Sequence, residues 1–304
     1  MRKVIYSALL AIATTSVHSA ENRPKITGID HVDFFTTSAE ANKHFYMDVL
    51  GLGSGDMLGA MDPIEPGQIQ RFMVGLQWIG YSPAPDPSAP NRMDHVAFAT
   101  NDCATLRSYL AAHGIRVPAS LSYLKNGSPS FIVNDPEGHR IEFIQPILGK
   151  FEITGDPVSH HMIHVGFIVH DRDAEDHFYR DILGFHLYWQ GGMQTGKNDW
   201  VAMQVPDGTD WLEYMLNVEP NADQHTMGVM NHVSLGVKDI KQAQAKLEKH
   251  GWKPHGDEKA QMGRDGKWQL NLYDPDFTRI ELMEFKPVEK PCCSEFHGEH
   301  PSDK

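Results

Sequence analysis

Ile29-Asp30-His31-Val32, Met93-Asp94-His95-Val96, Ile163-His164-Val165 and Met230-Asn231-His232-Val233 are four copies of one short pattern, with histidines spaced 64, 69 and 68 residues apart. Each His-Val opens an apolar run (Phe34-Phe35, Ala97-Phe98-Ala99, Phe167-Ile168-Val169, Leu235-Gly236-Val237) that reads as a strand. A polar break and a helical stretch follow every time, as in Ala39-Glu40-Ala41-Asn42-Lys43-His44-Phe45-Tyr46 and Ala174-Glu175-Asp176-His177-Phe178-Tyr179. A glycine ends each helix, at Gly51, Gly114, Gly184 and Gly251, where a left-handed C-cap is expected. Three shorter alternating stretches complete a β-α-β-β-β unit, and a period this long excludes a small-repeat solenoid.

One such unit buries only one face of its sheet, so units must pair. The sequence therefore predicts an α+β protein of four βαβββ units in two domains, near 21–150 and 156–288, joined by a linker over 150–161. Residues 1–20, with Arg2 and Lys3 before a short apolar run and then small residues, read as a signal peptide, so the mature protein is expected to be secreted or periplasmic. The run is too short for a comfortable membrane span, and no second stretch of spanning length follows. Residues 289–304 lack hydrophobic periodicity and read as a disordered tail, in which Cys292 and Cys293 could take a soft metal; Cys103 sits alone on a predicted helix. The formal charge of −13, from 27 basic and 40 acidic residues, argues against a nucleic-acid partner.

Alternation along the strands places each histidine opposite the bulky residues. Val32 with Phe34, Val96 with Phe98, Val165 with Phe167 and Val233 with Leu235 must pack on helices. The histidines face the other way, beside the small or polar Asp33, Ala97, Gly166 and Ser234. A second ligand type closes the units. Asp274-Pro275 leads into Arg279-Ile280-Glu281-Leu282, and Asp135-Pro136 into Arg140-Ile141-Glu142-Phe143. A carboxylate between two core-facing residues must meet water, a cation or a metal, because burying it unpaired is too costly. Unit three offers Glu213 in the same flanked setting, and unit one has the neutral Gln77 in the stretch read as equivalent.

These residues resemble the vicinal oxygen chelate superfamily of glyoxalase I, extradiol dioxygenases, fosfomycin-resistance enzymes and bleomycin-binding proteins. The resemblance spans about 21–288 and rests on the His-Val strands, the Phe-Tyr-x-Asp-x-Leu-Gly helix ends at 45–51 and 178–184, and the Asp-Pro-x-x-x-x-Ile-Glu closures. It implies half-open barrels with metal ligands from the first and last strands of each unit. Carried across, His164, Glu213, His232 and Glu281 form a full metal set in the second domain. His31, Gln77, His95 and Glu142 form a second, weaker candidate set in the first. The implied cofactor is one divalent ion per site, of Fe, Ni, Zn, Mn or Co. Gln269 and Asn271 share a strand face before the Asp-Pro turn and, with Tyr273, are candidates to bind a small oxygen-rich substrate. A homodimer is a further expectation.

The first functional expectation is a glyoxalase-like lyase or isomerase. Its metal would chelate adjacent substrate oxygens, with Glu213 or Glu281 as catalytic base. An Fe(II) extradiol-type ring-cleaving dioxygenase is the alternative, supported by His164, His232 and Glu281. The family's extradiol pattern, however, has a Tyr where Asn271 stands and a His where Met262-Gly263-Arg264 stand, and Tyr273 is two positions late. A non-catalytic binding or resistance protein is the third reading.

Overall fold

A computed structural model describes residues 23–54, 70–147, 154–256 and 258–303. The signal-peptide reading of 1–20 lies outside them. The first unit comprises β1 (Ile26–Thr36), α1 (Ala39–Lys43) running on through a π-helical turn at His44–Val49, β2 (Gly53–Ser54), β3 (Gln70–Val74) and β4 (Gln77–Pro83). The second has β5 (Met93–Thr100), α2 (Cys103–Ala112), β6 (Ser122–Tyr123), β7 (Pro129–Asn134) and β8 (Arg140–Ile144). The third has β9 (Met162–Ile168), α3 (Arg172–Asp176) continued by a π-helical turn at His177–Ile182, β10 (His186–Gly191), β11 (Trp200–Gln204) and β12 (Trp211–Met215). After a short helix α4 (Gln224–Met230), the fourth has β13 (His232–Val237), α5 (Ile240–Lys249), β14 (Gln261–Met262), β15 (Trp268–Tyr273) and β16 (Arg279–Glu284).

The units pair as the repeat requires. One curled eight-stranded sheet runs β2-β3-β4-β1-β5-β8-β7-β6, and the other repeats it as β10-β11-β12-β9-β13-β16-β15-β14. In each sheet the two His-Val strands lie antiparallel at the centre, and each has its unit's last strand parallel on its outer side. This order decides the chemistry, because it sets two histidines and two flanking strands around one point. The helices stop where glycine adopts a left-handed backbone, φ 70° at Gly51, 81° at Gly114, 80° at Gly184 and 96° at Gly251.

The expected bulky face does pack on the helices. Val32, Phe34, Val96, Phe98, Val165, Phe167, Val233 and Leu235 belong to one continuous core with Tyr46, Leu106, Tyr179 and Leu247 that runs through both halves. Tyr46 Oη donates to Asp274 Oδ2 at 3.2 Å across the seam, and Tyr179 Oη donates to Asp135 Oδ2 at 3.1 Å in the mirrored place. The histidine faces carry separate small clusters, Met73, Trp78, Ala97 and Ile144 in the first sheet, and in the second a larger one containing Tyr188, Trp189, Trp211 and Met283.

Residues 289–303 correct the expectation of a disordered tail. The segment crosses the second sheet, where Trp189 Nε1 donates to Cys292 O, Gln190 N to Ser294 Oγ, His297 N to Tyr188 O and Gln204 Nε2 to Glu299 O. Cys292 and Cys293 form a disulfide with each other, and Phe296 packs on Tyr188. The tail needs no periodicity because it forms no helix or strand. It is held by its peptide groups, by the polar side chains of Ser294, His300 and Asp303, and by the Phe296 ring on an apolar wall.

Candidate metal centres

β9 and β13 run antiparallel with Ser234 opposite His164 and Gly166 opposite His232. The two imidazoles therefore meet diagonally, edge to face, with Nε2 atoms 3.1 Å apart. Gly166 provides the room: a Cβ there would stand 2.1 Å from His232 Cε1. Two carboxylates arrive on the parallel neighbours, Glu281 beside Ser234 and Glu213 beside Gly166. Glu281 Oε2 lies 3.3 Å from His164 Nε2, and Glu213 Oε2 lies 3.4 Å from His232 Nε2 and 3.8 Å from His164 Nε2. All four predicted residues thus converge. His232 Nδ1–H donates to Met230 O at 2.9 Å, which fixes the tautomer and turns the Nε2 lone pair inward. His164 is held under the Trp211 ring, with centroids 4.7 Å apart.

Burial, then neighbouring positive charge, keeps both imidazoles neutral: His164 is held well below its ordinary value and His232 is pulled down to about 3. The same burial pushes Glu213 up to about 7 and raises Glu281. Neutral imidazoles beside reluctant carboxyls suit a divalent cation, which would take the lone pairs and return the carboxyls to their ionised form.

The first half is built alike and balanced differently. His31 Nε2 lies 3.2 Å from His95 Nε2, and Glu142 Oε2 lies 3.2 and 3.1 Å from those two atoms. The outer nitrogens are bound as well, His31 Nδ1 to Asp30 at 2.7 Å and His95 Nδ1 to Asp94 at 2.8 Å. Burial pulls the histidines down, but Asp30, Asp94 and Glu142 outweigh it. His31 rises to about 10, His95 rises too, and Glu142 drops well below the usual carboxylate range. Without a metal this cluster closes on itself as ion pairs.

Gln77 does not reach that centre. On β4 it is Trp78 that lies opposite His31, its ring stacked on the imidazole at 3.9 Å. Gln77 clamps backbone: Nε2 donates to Ile29 O and Met162 O at 2.9 Å each, and Oε1 accepts from Met162 N at 2.7 Å. Because Trp211 lies opposite His164, Asp210 is the counterpart of Gln77, and it too binds across the seam, accepting from Ile29 N at 3.0 Å. The counterpart of Glu213 is Gly80, which faces Asp33, whereas Glu213 faces Gly166. Carboxylate and glycine have exchanged strands between the halves. Asp33, read from the sequence only as a small polar neighbour, therefore supplies the extra carboxylate, with its ligand atom within 4.8 Å of those of His31 and His95. Its position two residues after His31 was the available signal.

The second centre opens through its carboxylates into a cavity walled by aromatic rings, whereas in the first half His95 borders a recess of about 390 Å³ shared with Asp94, His139 and Arg140. The second-half cavity, about 340 Å³, has Glu213 and Glu281 at one end and an aromatic wall that includes Trp189, Trp200, Trp211 and Phe296. Gln269, Asn271, Arg264 and Arg279 provide its polar side, and Asn271 Oδ1 and Arg279 Nε are buried there without a protein partner. Tyr273, expected with Gln269 and Asn271, lines instead an adjoining recess with His255 and Lys259. Sequence reasoning missed Lys267, although it shares strand parity with Gln269 and Asn271. Its Nζ is buried among the rings of Trp211, Tyr188 and Phe296 at 4.6, 5.2 and 5.3 Å, and burial lowers it to about 8.

The model of the Glyoxalase/Bleomycin resistance protein/Dioxygenase superfamily matches residues 28–143 and 161–282. No curated protein sequence matches significantly. Among solved structures, the chain resembles the 2,3-dioxygenase LapB of Pseudomonas sp. KL28 (TM-score 0.62, 16% identity, covering 92% of this chain and 95% of that one). It also resembles homoprotocatechuate 2,3-dioxygenase of Brevibacterium fuscum (0.60, 17%, 89% and 85%) and a Mn(II)-bound glyoxalase of Novosphingobium aromaticivorans (0.60, 17%, 90% and 86%). At these identities the likeness is one of fold.

Proposed function

Because the chain belongs to the glyoxalase/bleomycin resistance protein/dioxygenase superfamily, we propose that it is a divalent-metal enzyme working at the second-half centre, and that it cleaves aromatic rings bearing two neighbouring hydroxyls with Fe(II) as its resident ion. One observation carries this reading: His164, His232 and Glu281, from three adjacent strands, bring two buried imidazoles and a carboxylate together, and Glu281 with Glu213 lines the aromatic-walled cavity beside them. That donor set suits iron oxygenases. The likeness to two ring-cleaving dioxygenases over most of the chain supports the alternative raised by the sequence above the lyase or isomerase expectation.

When bound, the iron supplies a chelating point for two substrate oxygens and the redox chemistry with dioxygen. The protein residues do the rest. Trp189, Trp200 and Trp211 give a flat ring an apolar slot and exclude water. Arg279 brings a positive charge to the cavity, which favours a substrate that has lost one hydroxyl proton. Asn271 Oδ1 accepts from the remaining hydroxyl, and Glu213, ionised beside the cation, takes the first proton on Oε2. With 1–20 read as a signal peptide, the substrate is met outside the cytoplasm, a setting consistent with the Cys292–Cys293 disulfide.

A second reading rests on Glu213. Its Oε2 is as near to His232 (3.4 Å) as Glu281 Oε2 is to His164 (3.3 Å), so it could be a fourth ligand in a lyase or isomerase using Ni, Zn, Mn or Co. Oxygen consumption by the Fe(II)-loaded protein with catechols separates the two. Uptake matching catechol loss, with Glu213→Gln slowed by roughly 10²–10⁴, is the expected result. No uptake, together with chelator-sensitive turnover of hydroxycarbonyl compounds, supports the second reading. Tight ligand binding indifferent to chelator would leave a non-catalytic binder.

A further inference from the structure

The seam between the halves holds a cluster that the reaction does not use. Asp135, in the Asp-Pro turn before β8, and Glu175, on α3, are both buried, and His139 at the end of that turn is partly open to a recess of about 390 Å³. Each offers a ligand atom, and the three atoms lie within 4.8 Å of one another. Asp135 is well supplied with donors: Oδ1 accepts from Glu137 N and His139 N, and Oδ2 meets His139 Nδ1 at 2.8 Å and Tyr179 Oη at 3.1 Å. Glu175 is not. Its Oε1 accepts from Glu137 N at 3.0 Å, while Oε2 is fully buried with no N–H donor, and burial and the facing Asp135 carboxyl push Glu175 up to about 9. Glu137 is already committed to the amides of His170 and Asp171, and Asp176 to Arg180.

The internal repeat provides a control. Counting back from Tyr46 and Tyr179, Asn42 occupies the place of Glu175, and the Asp-Pro turns align Asp274 with Asp135 and Thr278 with His139. At that mirrored place an amide and a hydroxyl stand beside Asp274 instead of a second carboxyl and an imidazole, and the neighbouring Asp276 is taken up by Thr36, Thr37 and Arg92. In the Glu175 copy, two carboxyls and an imidazole converge where repulsion in a buried seam disfavours two unpaired charges.

We propose that Asp135, His139 and Glu175 form a divalent-cation site that joins the two halves. One nitrogen and two carboxylate oxygens are ligands of the kind zinc accepts, and modest side-chain rotation brings them to bonds of about 2.0–2.2 Å. The ion would satisfy Glu175 Oε2, neutralise the pair and link α3 of one half to the Asp-Pro turn of the other.

The full-length protein is dialysed against Zn²⁺, freed of loosely held metal and assayed for zinc per chain, beside Glu175→Gln, which imitates the Asn42 copy, and His139→Ala. Each variant is expected to hold one zinc fewer than wild type, and Glu175→Gln combined with His232→Ala one fewer again. If Glu175→Gln does not fold, His139→Ala decides, since its side chain reaches the surface. An unchanged zinc count in either folded variant overturns the proposal. A protonated-carboxyl infrared band in wild type that vanishes in Glu175→Gln would then identify a shared proton as the neutralising partner.

Discussion

At Gly166 a single methyl group decides whether the second centre can exist, because a Cβ there would lie 2.1 Å from His232 Cε1. Gly166→Ala should cost about 1–3 kcal/mol by overpacking and should abolish metal retention at that centre, as read by a urea melt and metal analysis. An alanine protein with full metal content would show that the ring has more freedom than its 0% exposure suggests. Gln77→Leu tests the opposite kind of residue. Losing the Met162 bonds should lower stability by about 1–3 kcal/mol and leave metal content unchanged, whereas a loss of metal would restore Gln77 as a ligand. The histidines, Glu142 and Glu281 were legible because strand parity alone sets their face. Gln77 was misread because its counterpart depends on cross-strand register: Trp78 and Trp211 define it, and nothing within one strand shows which residue lies opposite His31 or His164.

Among the elements, the four main helices were legible from their glycine stops and the strands from alternation, whereas α4 and the course of 289–303 were not. The tail carries its information in peptide groups and in scattered side chains such as Ser294, Phe296 and His300, which a periodicity argument ignores. Ending the chain after Lys290 should uncover the Tyr188 and Trp189 side of the cavity, lower the Tm and weaken binding of aromatic ligands. Unchanged calorimetric and binding curves would reduce the tail to decoration. Lys267 on the hairpin into β15 gives a pH test. Its folded value, lowered to about 8 by burial, lies below the ordinary 10.5. Between these values the unfolded chain binds a proton that the folded chain has shed, so stability contributed at this site rises with pH across that window. Below about 8 the lysine is charged in both states and the desolvation cost is felt in full. The unfolding free energy of Lys267→Met relative to wild type should therefore fall by roughly 3 kcal/mol from pH 8 to 10.5, and parallel pH curves would contradict a buried, depressed lysine.

Over the whole molecule, duplication sets a common frame and local exchange differentiates the copies. The frame is the shared core and the mirrored Tyr46–Asp274 and Tyr179–Asp135 bonds. Within it, the first centre closes as ion pairs around Glu142 while the second keeps neutral imidazoles behind the carboxylates that line a cavity. The proposed function stands on His164, His232 and Glu281 holding one divalent ion there. Metal content of the purified protein, measured with His232→Ala and His95→Ala in parallel, tests it most directly. His232→Ala is expected to lose the ion and all catechol-dependent oxygen uptake, while His95→Ala keeps that uptake. Full metal content and uptake in His232→Ala, with both lost in His95→Ala, would contradict it and move the active site to the first half.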